Sequence, residues 1–131
     1  MLTSAILTLA TATSAPHARF YERQARQYFD VWNTHDVTRL RPLLAEGVTL
    51  RDWDIQASGA DAVASANGKI FAALPKISIE VETIHVSDHT RTAACEILVR
   101  LHNERDEVLR VVDVIVFDHD GKITAVRAYK G

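Results

Sequence analysis

The spacing of apolar residues changes once along this chain, from a helical repeat to the alternation typical of β-strands. From Pro16 onward, apolar positions recur every three or four residues, which predicts a long amphipathic helix ending near Asn33. The residues that form this apolar stripe are Tyr21, Ala25, Tyr28 and Trp32. The chain therefore begins its regular pattern with a helix that has one face to bury.

Two shorter helices are predicted to follow, with one strand between them. Asp36 is placed to cap the second helix, and we expect Gly47 to end it. The segment GVTLRDWD then reads as a strand. Ser58 and Asp61 have the spacing of a capping box for the third helix, which Pro75 terminates.

Beyond Pro75 the pattern predicts strands alone. Alternating apolar residues mark four runs, at 77–81, 93–101, 109–117 and 123–129, joined by the turn-forming segments SDHT, HNERDE and DHDG. Helices followed by a hairpin-rich sheet indicate an α+β domain. We expect the three N-terminal helices to pack on one face of a curved, mainly antiparallel sheet that encloses a pocket.

The composition is that of a single globular domain, predicted over residues 16–131. The net charge is −2, and the 15 basic residues are spread along the chain rather than gathered in a patch, so we expect no nucleic-acid partner. The lone cysteine, Cys95, excludes an internal disulfide. Six histidines lack the spacing of metal ligands, although His35 stands where the first helix ends. We predict neither a metal nor another cofactor.

Residues 1–15, MLTSAILTLATATSA, form a short apolar run ahead of this domain. No Lys or Arg precedes the run, and it is shorter than the ~20 residues of a membrane span. We interpret it as an N-terminal extension of a cytoplasmic protein with no membrane partner. The alternative is a targeting segment that would export the protein or direct it to an organelle.

Two segments, YFDVWNTHDVTRLRPLLAEGVTLRD and VVDVIVFDHDGKITAVRAYKG, together with the order of elements, resemble the nuclear transport factor 2-like superfamily. Its ketosteroid isomerase and SnoaL-like (polyketide cyclase-like) branch is the most similar. This resemblance implies a cone-shaped fold that binds a small molecule in its pocket. Aligned with ketosteroid isomerase, the oxyanion-hole tyrosine falls on Tyr28, the general base on Asp52 and the protonated oxyanion-hole aspartate on Asp113. The three roles belong to that enzyme, and the resemblance alone carries them onto this chain.

The residue types suit proton transfer beside a carbonyl group, which needs a carboxylate base and donors aimed at the developing oxyanion. Asp113 lies in the apolar strand VVDVIVF, where burial would keep it neutral. A three-residue hairpin loop would instead place Asp113 opposite Arg127 as an ion pair, whereas a two-residue loop gives it an apolar neighbour. The sequence leaves both registers open.

Each candidate also has a structural explanation. Tyr28 fits a core position with a satisfied hydroxyl, and a salt bridge to Arg51 or Arg41 would account for Asp52. Four aromatic residues are predicted to contact the ligand: Trp32, Trp53, Phe71 and Tyr129. Trp53 and Asp54 depart from the isomerase pattern and disfavour a substrate as large as a steroid.

The sequence thus predicts a cofactor-free isomerase or a related lyase or cyclase that acts on a compact apolar carbonyl compound. One alternative is a non-catalytic module for ligand binding or dimerisation, in which Trp53, Phe71 and Tyr129 would fill the void. Another is a hydrolase or dehydratase in which Asp52 and Asp54 position water.

We also predict a homodimer packed sheet to sheet, because one strand face mixes charged and apolar residues. Those residues are Ser78, Glu80, Glu82, Glu96, Leu98 and Arg100.

Overall fold

The structure, a computed structural model, describes the backbone of residues 2–131 and the side chains of residues 17–131. The described backbone contains three α-helices, one 3-10 turn at Arg41–Leu43 and six strands. The helices are α1 (Leu2–Trp32), α2 (Val37–Leu40) and α3 (Ala60–Ala73). The strands are β1 (Leu44–Arg51), β2 (Gln56–Ser58), β3 (Ser78–Ser87), β4 (Thr92–Arg100), β5 (Val108–Phe117) and β6 (Ile123–Lys130).

The six strands form one sheet in the order β2-β1-β6-β5-β4-β3. Every neighbouring pair is antiparallel except β1 and β6, which run parallel. The helices pack against this sheet, α1 on β3 and β4 and α3 on β1 and β2. This arrangement confirms the predicted α+β class, with three helices on a mainly antiparallel sheet.

The apolar stripe of α1 is buried as predicted, with Ala25 fully inaccessible and Tyr21, Tyr28 and Trp32 nearly so. The helix itself runs from Leu2, so the predicted start at Pro16 is not a helix boundary. The division of the chain into an extension over residues 1–15 and a domain over 16–131 stays a prediction.

Asp36 caps α2 as predicted, since its Oδ1 accepts a hydrogen bond of 3.0 Å from the amide of Thr38. Gly47, however, does not end this helix. It lies inside β1, which begins at Leu44 because Leu44 is a buried strand position paired with Ile123. The pairing of β1 with β6 then shifts between Leu44 and Thr49, next to Gly47.

The predicted capping box of α3 is wrong. Ser58 is the last residue of β2, where it pairs with Thr49, and the N-cap is Gly59 with no side-chain cap bond. Gly59 has φ 93°, a left-handed conformation that a Ser cap would not adopt readily. Asp61 pairs instead with Arg41, whose Nε donates to Oδ1 at 2.6 Å. The pairing of Ser58 within the sheet therefore overrides the local capping pattern.

The turn between β5 and β6 packs against α1 through a glycine. Gly121 has φ 86°, and a Cβ added to it would lie 2.7 Å from Cζ of Phe20. Asp118 closes the turn, because its Oδ1 accepts the amides of Asp120 and Lys122 at 2.9 Å each. The turn thus needs a residue with no side chain at this position.

We predict that Gly121→Ala lowers the free energy of unfolding by roughly 1–3 kcal/mol, because both the left-handed φ and the contact with Phe20 oppose a Cβ. Urea unfolding measures the change. The matched control is Gly47→Ala, where a Cβ meets nothing within 4 Å and φ is not positive. That variant should stay within about 0.5 kcal/mol of the parent. Equal losses in the two variants would contradict the packing described for this turn.

Candidate active site

A cavity of about 340 Å³ lies between the inner face of the sheet and helices α1 and α3. Its wall is mainly aliphatic, with branched residues from β1, β3, β4 and β5 and from α3. Its polar lining is short: Tyr28, Asp52, Asp54, Asn67 and Asp113, together with the indoles of Trp32 and Trp53. An apolar cavity with few polar groups is the usual form of a small-molecule site.

Asp113 points into this cavity from the inner face of β5, between the buried residues Val111 and Ile115. It is 6% exposed and forms no hydrogen bond with any side chain or backbone group of residues 17–131 beyond the strand ladder. Within the same residues, every side-chain oxygen or nitrogen that is fully shielded from solvent has a hydrogen-bond partner. The Asp113 oxygens are therefore reached from the cavity itself.

The register of the last hairpin decides between the two predicted environments of Asp113. Asp113 lies opposite Ala128 on β6, while Arg127 lies opposite Val114 on the other face of the sheet. The five residues from Asp118 to Lys122 and a register shift beside Phe117 produce this pairing. An ion pair between Asp113 and Arg127 is thus excluded, and the carboxyl has an apolar cross-strand neighbour.

Burial, with the nearby charge of Asp52 as a second cause, raises the pKa of Asp113 from 3.8 to about 7. The carboxyl group is therefore neutral over the acidic range and gives up its proton near neutral pH. A neutral carboxyl can donate a hydrogen bond into the cavity. The apolar residues around Asp113 thus favour its protonated form below about pH 7.

Tyr28 reaches the same cavity from α1 and is 4% exposed. Its hydroxyl has no hydrogen-bond partner among residues 17–131, so it does not bond to Asp113. Burial, with the charge of Asp113 second, raises the pKa of Tyr28 above its ordinary value. The phenol therefore keeps its proton, and two separate donors face one space.

Asp52 follows β1 directly and lines the cavity near its mouth. Its Oδ1 accepts the amides of Asp54 at 2.7 Å and Ile55 at 2.5 Å, which fixes the turn that carries Trp53. Neither predicted salt bridge forms, because Arg41 pairs with Glu46 and Asp61 and Arg51 donates to Tyr129. Asp52 thus holds its own loop and presents a carboxylate edge to the cavity.

Asn67, which fixes the indole of Trp32, was not predicted from the sequence. It is buried on α3, and its Oδ1 accepts a hydrogen bond of 2.8 Å from Nε1 of Trp32. Its amide nitrogen donates to the carbonyl of Val63 at 2.9 Å. The signal was present, because Asn67 is the polar residue one turn after Val63 on the apolar face of this helix.

Of the four predicted aromatic contacts, Trp32 and Trp53 line the cavity, whereas Phe71 and Tyr129 do not. Phe71 is a core residue that stacks on His35 at a ring separation of 4.4 Å. Tyr129 lies on the outer face of the sheet, 50% exposed, because its pairing with Val112 puts it on the side away from the helices. Phe71 thus belongs to the core and Tyr129 to the outer surface of the sheet.

His35 is likewise structural. Its Nε2 lies 2.7 Å from the carbonyl oxygen of Ile77 and links the end of α1 to the start of β3. Among the described side chains no group of three His, Cys, Asp or Glu residues converges in a way that could hold a metal ion. Of the basic residues between positions 17 and 131, none lines the cavity. Its ionisable side chains there are acids and one phenol.

A family model matches most of the chain. The profile of the SnoaL-like domain family covers residues 25–126, which include the buried second half of α1 and nearly the whole sheet. The chain belongs to the SnoaL-like domain family. Tyr28, Asp52 and Asp113 all lie inside the matched segment of this SnoaL-like domain.

Solved structures share the fold at low sequence identity. A protein of unknown function with a cystatin-like fold from Methylobium petroleophilum PM1 has a TM-score of 0.77 at 21% identity, over 87% of this chain and 77% of that one. A candidate ketosteroid isomerase from Kribbella flavida has a TM-score of 0.72 at 20% identity, over 87% of this chain and 79% of that one.

A third structure is SalBIII, an epoxide hydrolase/cyclase-like enzyme of pyran ring formation in the polyether salinomycin. It has a TM-score of 0.71 at 17% identity, over 85% of this chain and 90% of that one. No curated protein matches the SnoaL-like chain significantly. Among the residues that the structure describes, every helix is too short or too polar to cross a membrane.

The raised pKa of Asp113 in this SnoaL-like domain predicts how its stability depends on pH. Between the unfolded pKa near 3.8 and the folded pKa of about 7, the folded state holds a proton that the unfolded state has lost. Stability should therefore fall as pH rises through this window, by about 1.4 kcal/mol per pH unit at most. Asp113→Asn removes the penalty, so it should exceed the parent in stability at pH 8 and approach it near pH 4.

Denaturant unfolding at several pH values measures this difference. The control is Asp30→Asn, which changes an exposed carboxylate on α1 and should leave the parent's pH dependence unchanged. A loss of roughly 3–5 kcal/mol in Asp113→Asn at pH 8 would instead reveal an ionised partner and contradict the neutral carboxyl.

Proposed function

We propose that this SnoaL-like domain binds a compact, apolar carbonyl compound and moves a proton beside the carbonyl without a cofactor. Asp52 is the base, and Tyr28 and Asp113 donate hydrogen bonds to the carbonyl oxygen. Trp32 and Trp53 contact the ligand. The reaction class is isomerisation or a related lyase or cyclase step.

One observation supports this function above the others. Tyr28 and Asp113 are both more than nine-tenths buried, both open onto the cavity, and neither side chain bonds to the other or to another residue in the range 17–131. Both groups are accessible from the cavity and form no hydrogen bond within the described protein, so a ligand oxygen can accept from the two of them at once. Such donors stabilise the negative charge that develops on that oxygen.

The lining also favours a ligand class. A cavity of about 340 Å³ suits a compact molecule, and its aliphatic wall suits a hydrocarbon skeleton. Since no basic residue of the described chain lines it, a carboxylate ligand would meet three acids without a counter-charge. We therefore expect a neutral ligand.

Asp54 gives a second candidate function. Its side chain lines the cavity beside Asp52, and two carboxylates at one mouth could position a water molecule for hydrolysis or cyclisation. SalBIII, with the same fold, is an epoxide hydrolase/cyclase-like enzyme. Under this alternative, Asp54→Asn would abolish turnover, whereas the isomerase proposal needs Asp52 alone.

The non-catalytic alternative requires a pocket closed by aromatic rings. Phe71 and Tyr129 lie outside the cavity lining, and Trp53 is 41% exposed at its mouth, so the three rings leave the space open. This placement favours a ligand site over a purely structural core. Loss of turnover in Asp52→Asn would distinguish catalysis from binding alone.

We predict that Asp52→Asn lowers turnover by roughly 10²–10⁴-fold, as expected for the loss of a general base. The variant keeps the Oδ1 that accepts the amides of Asp54 and Ile55, so the loop is preserved. Exchange of the α-protons of small cyclic ketones into deuterated water, followed by proton NMR, measures the rate directly.

The matched control for this test is Asp61→Asn, which removes a carboxylate that pairs with Arg41 on the surface and should leave exchange unchanged. Ligand affinity, measured by the thermal shift that the ketone produces, should survive in both variants. An exchange rate in Asp52→Asn equal to that of the parent would end the assignment of the base.

An apolar patch on the outer face of the sheet supports the predicted homodimer. Val112 and Tyr129 pair across β5 and β6 and are both exposed, which leaves this patch at the centre of the face. Leu98, which the sequence analysis named as part of this face, is 8% exposed and adds little to the patch. A second copy of the chain would cover the two exposed side chains.

Charged side chains flank this apolar patch, and those on β3 and β4 form ion pairs such as that between Arg100 and Glu80. Arg51 and Arg127 lie to one side of it, on β1 and β6. Glu80 and Glu96 lie to the other side, on β3 and β4.

We predict that light scattering finds a dimer for the parent and a monomer for Val112→Lys, because the new charge lies in the apolar patch. Ala72→Lys is the matched control, since it adds the same charge on the exposed side of α3 and should remain dimeric. A monomeric parent at high micromolar concentration would refute the sheet-to-sheet dimer.

A further inference from the structure

A second depression lies at the end of the sheet opposite the mouth of the cavity. Three segments meet there: α1 near its first described side chains, the turn between β3 and β4, and the turn between β5 and β6. They contribute five basic side chains: His17, Arg23, His89, Arg91 and His119. The turns SDHT and DHDG, which the sequence marked only as connections, thus each bring a histidine to one place.

Arg91 is held in a fixed position at this site. Its backbone has φ 50°, which is unfavourable for a residue with a side chain. Its Nε donates to the carbonyl of Phe117 at 3.1 Å, and its own carbonyl accepts the amide of Phe117 at 2.9 Å. The guanidinium is therefore anchored on one edge, and its Nη groups form no hydrogen bond within residues 17–131.

The two arginines also lack carboxylate partners. Neither Arg23 nor Arg91 has an acidic oxygen within 4.0 Å among residues 17–131, unlike Arg26, Arg41 and Arg100. Residues 1–16 contain no Asp or Glu, so the rest of the chain cannot supply one. The single acid of the depression, Asp88, lies 3.6 Å from Nδ1 of His17.

Aromatic rings form the wall beside these cations. Phe20 and Tyr21 both line the depression, and Tyr21 is fixed by stacking on Phe117 with ring centroids 5.6 Å apart. A guanidinium group can donate two parallel hydrogen bonds to two oxygens of one phosphate. An aromatic ring beside it can contact the organic group that the phosphate carries.

We propose that this depression binds a small phosphate ester, with the phosphate on Arg23 and Arg91 and the organic group against Phe20 and Tyr21. Histidines from the two turns close the site around the anion. The site is independent of the proposed catalytic cavity and shares no lining residue with it.

Titration of the full chain with phenyl phosphate at low salt, followed by amide NMR, tests the proposal. Saturable shifts should appear in residues 88–91 and 118–121. Arg23→Gln and Arg91→Gln should each weaken binding by at least about tenfold, because each removes a charge-assisted contact. Arg23 lies on α1 and makes no ion pair with residues 17–131, so its variant tests the site even if Arg91→Gln unfolds.

The matched control is Arg105→Gln, which removes the same charge from the loop between β4 and β5 and should leave binding unchanged. Asp52→Asn should also bind normally, which separates this site from the proposed catalysis. An equal loss in Arg105→Gln, or shifts that do not saturate, would overturn the proposal. So would binding to vesicles that contain phosphatidic acid without binding of phenyl phosphate.

Discussion

The desolvation of one carboxyl group, that of Asp113, constrains the interior of this protein. The residue occupies a strand whose inward positions are otherwise aliphatic, and no cation among residues 17–131 pairs with it. Burial disfavours the charged form of an acid, and this desolvation raises the pKa of Asp113. Proteins tolerate such an acid when it stays protonated. With this pKa, the carboxyl is expected to lower stability as pH rises through neutrality, whereas an asparagine would not. Such a local cost is typical of positions that serve a site rather than the fold.

The sheet topology explains how three polar groups from distant parts of the chain face one small space. The parallel pairing of β1 and β6 sets Arg51 beside Arg127, so Asp52 leaves β1 next to Ala128. Ala128 in turn lies opposite Asp113. The two acids are thus separated by one strand, or roughly 10 Å of backbone. The residue between them is an alanine, which leaves room for a ligand, and Tyr28 approaches from α1 on the helix side of this gap. A ligand that fits the gap would have one carboxylate at its open end and two donors at its buried end.

Local patterns predicted the elements well, because the burial of a helix stripe or a strand face depends on residues that are close in sequence. The stripe from Tyr21 to Trp32 and the cap at Asp36 are of this kind. The cross-strand neighbour of Asp113 could not be predicted in this way. It depends on a turn closed by Asp118 and on a register shift beside Phe117. Ser58 pairs with Thr49 in the sheet instead of capping α3. Its spacing from Asp61 could not reveal this, since strand pairing is a non-local interaction. Tyr129 lies outside the cavity for a related reason, because a shift of one residue in register reverses every side chain of a strand.

The two candidate sites differ in the charge of their linings, although the net charge of the chain is only −2. The ionisable groups that line the cavity near the end of β4 are acids and a phenol. Two arginines without carboxylate partners in residues 17–131 and three histidines surround the turns at the other end. Electrostatic interactions between exposed groups are weakened by salt. A charged ligand that enters either site and loses water would interact more strongly with the side chains that line it. The acids of the cavity would disfavour an anionic ligand, whereas the lining of the proposed phosphate site would favour one. If both proposed sites bind ligands, the charge of each lining would be enough to sort those ligands, and no conformational change would be required.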